Sequence, residues 1–137
     1  MTNQLPDKPS ELLALALADL AKVEKSLRYE VCMEYWHLPT EDGVCQVSMA
    51  GALMAKTLKV DRFKEFKPSD FETDTKNNLL AIEYFRMGFL GLALKIFGIG
   101  SRRYPGVMID VAYYHTHRKR FKKDMRDIIK MLEREDL

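Results

Sequence analysis

Cysteine is scarce: the chain carries only Cys32 and Cys45, and they do not form a Cys-x-x-Cys pair. They read as two small buried hydrophobes, with a disulfide or a share in a metal site as alternatives. Long hydrophobic runs are also missing. The longest apolar stretch, 87–100, is interrupted by Lys95 and is too short to span a bilayer. The first nine residues have no apolar signal-peptide core, so the expectation is a cytoplasmic protein with no membrane span. Charge of one sign is not in excess either. A formal net charge of +2 is too small for a whole-molecule argument about nucleic acid, and any basic function has to come from local clustering. There is no Walker motif, no Gly-x-Ser-x-Gly and no His-Glu-x-x-His. Gly98-x-Gly100 lacks the third glycine of a dinucleotide fingerprint, and no expected strand precedes it. The chain is therefore read as a non-enzyme without cofactor or metal.

The composition is 47% hydrophobic and 31% charged, which suits one globular domain spanning 1–137, with 1–9 as a loosely held lead-in. At this length folding buries roughly two thirds of the unfolded surface, so no covalent staple is required.

The stretch 44–58 organises the rest. It is apolar and contains one ionised residue, Lys56. On a helix, Ser48, Gly51, Ala52 and Ala55 share a face with almost no side-chain volume, so another element can approach its backbone closely. The pattern predicts a central buried helix, with 44–47 available as a short strand before it. A first helix starts near Ser10 with Pro9 at its beginning, and its stripe of Leu13, Leu17 and Leu20 is the natural partner for that small face. Between them, 29–35 alternates as a half-buried strand does, and Thr40-Glu41-Asp42-Gly43 is a turn cluster, which leaves room for a small hairpin. Continuation of the first helix through 29–35 is the alternative.

A polar connector, 59–74, holds Phe63, Phe66 and Phe71 as anchors, with a turn at Pro68-Ser69-Asp70. A third helix is expected from about Thr73, with Leu79, Leu80, Ile82, Tyr84, Phe85 and Met87 as its apolar surface. The segment 89–99 reads as core, with a partner-binding surface as the next reading. Val107, Val111, Tyr114, Arg118, Phe121, Met125, Ile128 and Leu132 are then spaced 4, 3, 4, 3, 4, 3, 4, as on a helix that packs along its length. A helix of about 27 residues would be roughly 40 Å long. It would reach across a domain of about 14 Å radius of gyration. A projecting seam argues for a homodimer, while a fully internal core helix is the alternative. A strand over 107–113 followed by a shorter helix is the rival to one long helix.

Candidate chemistry is thin. The best surface feature is a basic cluster, Arg102, Arg103, Arg118, Lys119, Arg120, Lys122 and Lys123, interleaved with Tyr113, Tyr114 and Phe121. It suits either phosphates or an acidic protein surface, against the plain alternative of a solvated face. His115-x-His117 would converge on a metal only in a strand, because on a helix the two diverge by about 200°. Cys45 with His37 could form a nucleophile and base pair, but no third group is evident to orient them.

Two stretches resemble a family. The first is Ser10-Glu11-Leu12-Leu13-Ala14-Leu15-Ala16 followed by Asp19-Leu20 and Val23-Glu24. The second is Tyr35-Trp36-His37, an acidic-glycine turn, then Cys45-Gln46-Val47-Ser48-Met49-Ala50-Gly51-Ala52-Leu53-Met54-Ala55. Together, over about the first 60 residues, they resemble small bacteriophage- and prophage-encoded proteins. In those proteins a second cysteine often stands where this chain has Ser48. The resemblance implies no defined chemistry. It does imply an accessory protein in the host bacterial cytoplasm that binds a host protein or nucleic acid.

The expectation is thus a mainly α fold, a compact bundle of four to five helices with a long C-terminal helix and room for one short β-hairpin. The expected function is a non-enzymatic binding protein, a phage accessory protein that modulates a host bacterial protein. Nucleic-acid binding through the basic C-terminal helix is the alternative, and a small cysteine- or metal-dependent enzyme the third reading.

Overall fold

The computed structural model describes residues 5–71, 75–79, 82 and 113–137. Helices dominate, but a three-stranded sheet makes the architecture mixed α/β rather than a pure helical bundle. Thr73, Leu80, Tyr84, Phe85, Met87, the segment 89–99, Arg102, Arg103 and residues 107–112 of the alternative strand 107–113 all lie outside the described residues.

Helix α1 (Pro9–Glu24) begins with proline at its first position, where a missing N–H costs nothing. Its core stripe is Leu12, Leu13, Ala16, Leu20 and Val23, while Leu17 lies at the rim, only half-buried. Within the lead-in, Leu5 belongs to the core, and the exposed Lys8 lies 3.4 Å from Asp136.

The expected strand 29–35 is cut to three residues. Strand β1 (Tyr29–Val31) is followed by turns and then by β2 (His37–Pro39) and β3 (Cys45–Val47). The hairpin exists, but its arms are β2 and β3, antiparallel with His37 opposite Val47. β1 pairs with β3 in parallel, so the order is β1-β3-β2. The turn cluster closes the hairpin as expected. Gly43 takes φ +83°, and the Thr40 hydroxyl and N–H both donate to the Val44 carbonyl, at 2.7 and 2.9 Å. Cys45 and Val47 face the core and Gln46 does not, the period-two signature of a half-buried strand.

Helix α2 (Met49–Lys56) follows directly, capped by Ser48, whose Oγ accepts from the Gly51 N–H at 3.3 Å. Every residue from Met49 to Ala55 is buried, so this short helix is core on all sides. Its C-cap is Thr57, whose N–H donates to the Leu53 carbonyl at 2.9 Å; beyond it Lys59 takes the left-handed conformation (φ 53°), and the Val60 N–H donates to the Met54 carbonyl at 3.0 Å. The small face is small for a reason the leucine stripe did not suggest. A Cβ on Gly51 would lie 1.6 Å from the Trp36 carbonyl oxygen, so the backbone before β2 takes that space. Where α1 does meet the end of α2, the Thr57 hydroxyl donates to Asp19 Oδ2 at 2.6 Å. Asp19 is 1% exposed, and burial raises its carboxyl above the ordinary value.

Beyond α2, Phe66 and Phe71 pack against the core as expected, but Phe63 is 68% exposed beneath the Arg62 guanidinium. Pro68–Asp70 forms a 3-10 turn. Residues 75–79 are helical, and Leu79 and Ile82 are buried in the same core cluster.

The long C-terminal helix is interrupted. Tyr113 is helical, in the single turn α3 (Tyr113–Thr116), and not part of a strand. His117 then leaves helical geometry (φ −137°, ψ 56°), and α4 (Arg118–Arg134) follows. At 17 residues α4 is about 25 Å long, too short to project from a domain of this size. Tyr114, Phe121, Met125, Ile128 and Leu132 are fully buried within the chain. The described seam is therefore internal, and the feature that argued for a homodimer is absent among the described residues.

Candidate basic binding face

Helices α1 and α4 run antiparallel. Lys8 meets Asp136 at one end, and Glu24 meets Arg118 and Lys122 at the other. The Glu24 end explains why the basic cluster starts where it does. Arg118, Lys119 and Arg120 occupy the first turn of α4 with no acid among them, against that helix's positive N-terminus. Glu24 lies in the last turn of α1, against the opposite dipole. Each misplacement is offset by the other. Glu24 Oε1 accepts from Lys122 Nζ at 2.5 Å, Oε2 lies 3.6 Å from Arg118 Nε, and the Tyr114 hydroxyl donates to the same carboxylate. Arg118 also stacks over the Tyr114 ring at 5.0 Å. Burial, followed by the Glu24 hydrogen bond and its charge, pushes the Tyr114 hydroxyl well above the ordinary tyrosine pKa.

The structure thereby divides the sequence-predicted site. Arg118 and Lys122 are committed to Glu24 and hold α1 against α4. Lys123 is exposed and pairs along its own helix with Asp127 at 2.9 Å. Lys119 and Arg120 are exposed and have no ion-pair partner among the described residues. Arg102 and Arg103 lie outside those residues.

What the sequence reading missed is a row. Lys119, Lys123, Arg126, Lys130 and Arg134 are all exposed, at steps of 4, 3, 4 and 4. At about 100° per residue they fall within about 80° of one another and span roughly 22 Å. They lie opposite the buried stripe of Phe121, Met125, Ile128 and Leu132. The signal was present in the spacing, but it becomes visible only once the buried stripe fixes which face looks outward. Beside the row lies an open groove of about 400 Å³ between α1 and α4. Its floor is Ala14, Leu17, Ala18 and Ile129, with Arg126, Lys130 and Glu133 along one side.

The other candidates are placed differently. Cys45 and His37 do meet: Sγ is 3.5 Å from both ring nitrogens. The Lys64 carbonyl 2.8 Å from Nδ1 can only accept, so Nδ1 carries the proton and Nε2 faces the thiol as a bare acceptor. Both residues are fully buried, and burial pushes the Cys45 thiol up to about 11. At neutral pH the pair is an uncharged thiol and an uncharged imidazole. Such a pair lacks the thiolate that nucleophilic chemistry needs. Cys32 and Cys45 are both free, and Cys32 is half-exposed rather than buried. His115 lies against Tyr114 in α3 and His117 sits at the break, both exposed.

His37 gives a pH prediction. Burial, the largest influence, lowers its pKa below 6.5, outweighing the upward pull of the Lys64 carbonyl and Asp61. Below pH 6.5 the unfolded chain binds this proton more readily than the folded chain, so stability falls as pH drops through the folded-state value. Asp19 acts in the opposite sense, gaining stability as pH falls through its raised pKa towards 3.8. The clean measurement is therefore a difference. Urea unfolding between pH 7 and 5 should show that His37→Gln loses the decline attributable to this residue.

The site and fold define a small mixed α/β protein that presents a basic helix face beside an apolar groove. Comparison with known protein families, with curated proteins and with solved structures returned no match.

Proposed function

We propose that this is a non-enzymatic binding protein whose target is an acidic, amphipathic helical segment of another protein. The observation that carries the reading is the five-residue basic row running alongside the apolar groove. An amphipathic helix laid there would bury its apolar side on Leu17 and Ile129 and set its carboxylates against Arg126 and Lys130. A second copy of this chain fits less well, because a two-fold contact across the row would set base against base. The resemblance of the first 60 residues to phage and prophage proteins supports a host bacterial protein as the target, met in the host cytoplasm. Among the described residues, no helix is long and apolar enough to cross a membrane.

The test is capture from bacterial lysate with tagged protein, with and without nuclease, read by mass spectrometry. The structure dictates which charges to reverse. Reversing Arg118 or Lys122 would break the Glu24 tie, so the informative variant is Lys123→Glu/Arg126→Glu/Lys130→Glu. It should keep a cooperative unfolding transition, its midpoint lowered only slightly by loss of the exposed Lys123–Asp127 pair, and lose at least about tenfold in affinity for the captured protein, or ~1.4 kcal/mol. Undiminished binding would end the proposal.

Nucleic acid is the second reading, favoured by the length and continuity of the row alone. If all five bases neutralised phosphates, log affinity would fall by roughly 4 to 5 per log unit of salt. Capture would then vanish with nuclease.

A further inference from the structure

A second cleft, unconnected with the argument for the α4 face, lies at the outer edge of β2. Residues 34–38 and 65–67 lie side by side there, and the Phe66 N–H donates to the His37 carbonyl at 3.0 Å. The His37 ring donates back to the Lys64 carbonyl, so both walls are held by the fold before any ligand arrives. The space between them is about 290 Å³, small for a ligand pocket. Tyr35, Trp36 and Phe66 line it, together with Glu34, Glu65 and Lys67.

The charges do not cancel. Lys67 lies 3.5 Å from Glu65 and neutralises it, while Glu34 is exposed and has no ion-pair partner among the described residues. His37 adds no charge at neutral pH, because burial keeps its imidazole neutral. The cleft is thus aromatic, small and net negative. A hard metal ion requires several converging oxygens, and among the described residues no group of three or more acidic, histidine or cysteine side chains is placed to supply them. A bare ammonium needs acceptors for three N–H bonds, and among the described lining side chains Glu34 is the one carboxylate not already paired. A methylated ammonium has an apolar, positively charged surface and makes no such demand.

We propose that this cleft binds a methylated ammonium group, whether of a free choline-like molecule or of a trimethylated lysine side chain. Trp36 is the only tryptophan in the chain, so the site carries its own probe.

The experiment titrates the full chain with choline chloride at constant ionic strength and follows Trp36 emission together with amide shifts at 34–38 and 65–67. A saturable response with a dissociation constant on the order of 1 mM is expected for so small a ligand. The neutral isostere 3,3-dimethyl-1-butanol should bind at least tenfold more weakly. Glu34→Gln, an exposed change that leaves the fold intact, should weaken choline several-fold without weakening the isostere. A trimethyl-lysine peptide separates the two sources: tighter binding than choline identifies a protein side chain, and equal or weaker binding a free metabolite. No saturation by 50 mM (about fifty times the expected constant), equal affinity for the isostere, or an unchanged Glu34→Gln constant would each overturn the assignment.

Discussion

Gly51→Ala is expected to cost more than any other single-methyl change in the described core, about 3 kcal/mol or more. The added Cβ would fall 1.6 Å from the Trp36 carbonyl oxygen, 2.8 Å from its carbon and 2.9 Å from Val47 Cβ. Overpacking a core usually costs about 1–3 kcal/mol because side chains shift to make room. Here the obstacle is backbone, and it cannot rotate away. The Trp36 peptide leads directly into β2, which is paired to β3, and β3 leads through Ser48 into α2. Relief therefore requires moving the helix off the sheet. Chemical denaturation should show either a large drop in midpoint or loss of the cooperative transition. Gly43→Ala is the matched control: its Cβ meets nothing within 4 Å, so only the positive φ of 83° opposes it. The cost there should be near 1 kcal/mol. If the two variants cost the same, the close approach of Trp36 to α2 is wrong.

Glu24→Ala should be the next largest, at about 2–4 kcal/mol. The side chain is 11% exposed and collects the Tyr114 hydroxyl, Lys122 and Arg118. Removing it strands a buried phenol hydroxyl and leaves two cations beside the positive end of α4. Losing one partner of a buried charged network costs more than the network's net worth, because the remaining groups keep their desolvation penalty. Tyr114→Phe separates the contributions. Alone it should cost about 1 kcal/mol. Combined with Glu24→Ala it should add almost nothing, because the hydroxyl has already lost its acceptor. Full additivity, read from urea unfolding of the four-variant cycle, would show that the two side chains do not share a hydrogen bond.

Much of the fold was legible in the chain because it rests on local rules. The start of α1 at Pro9, the Thr40–Gly43 turn and the burial of 49–55 all follow from residues within a few positions of one another, whereas Ser48, read as part of the helix's small face, is instead its N-cap. Two misreadings share a different cause. The alternation expected over 29–35 holds across Tyr29–Val31 and is lost by Tyr35, which is exposed; the central strand of the sheet is β3, and β1 needs only enough length to pair with its three residues. The seam from Tyr114 to Leu132 keeps its phase, yet the helix breaks at His117. Periodicity records which side chains face the core, and a one-residue break between two helices that both face it leaves that record almost intact.

The candidate site divides in the same way. Sequence alone determined that this protein would be a globular chain with an apolar centre at 44–58, a basic C-terminal segment and no recognisable catalytic motif. Tertiary structure decided what those bases do. Glu24, 94 residues before Arg118 in the chain, engages Arg118 and Lys122 in ion pairs, while the packing of Phe121, Met125, Ile128 and Leu132 turns Lys119, Lys123, Arg126, Lys130 and Arg134 outward as one row. A charge count cannot separate the two groups, because a cation's role depends on whether a carboxylate from another element reaches it, and that is settled only when α1 and α4 pack.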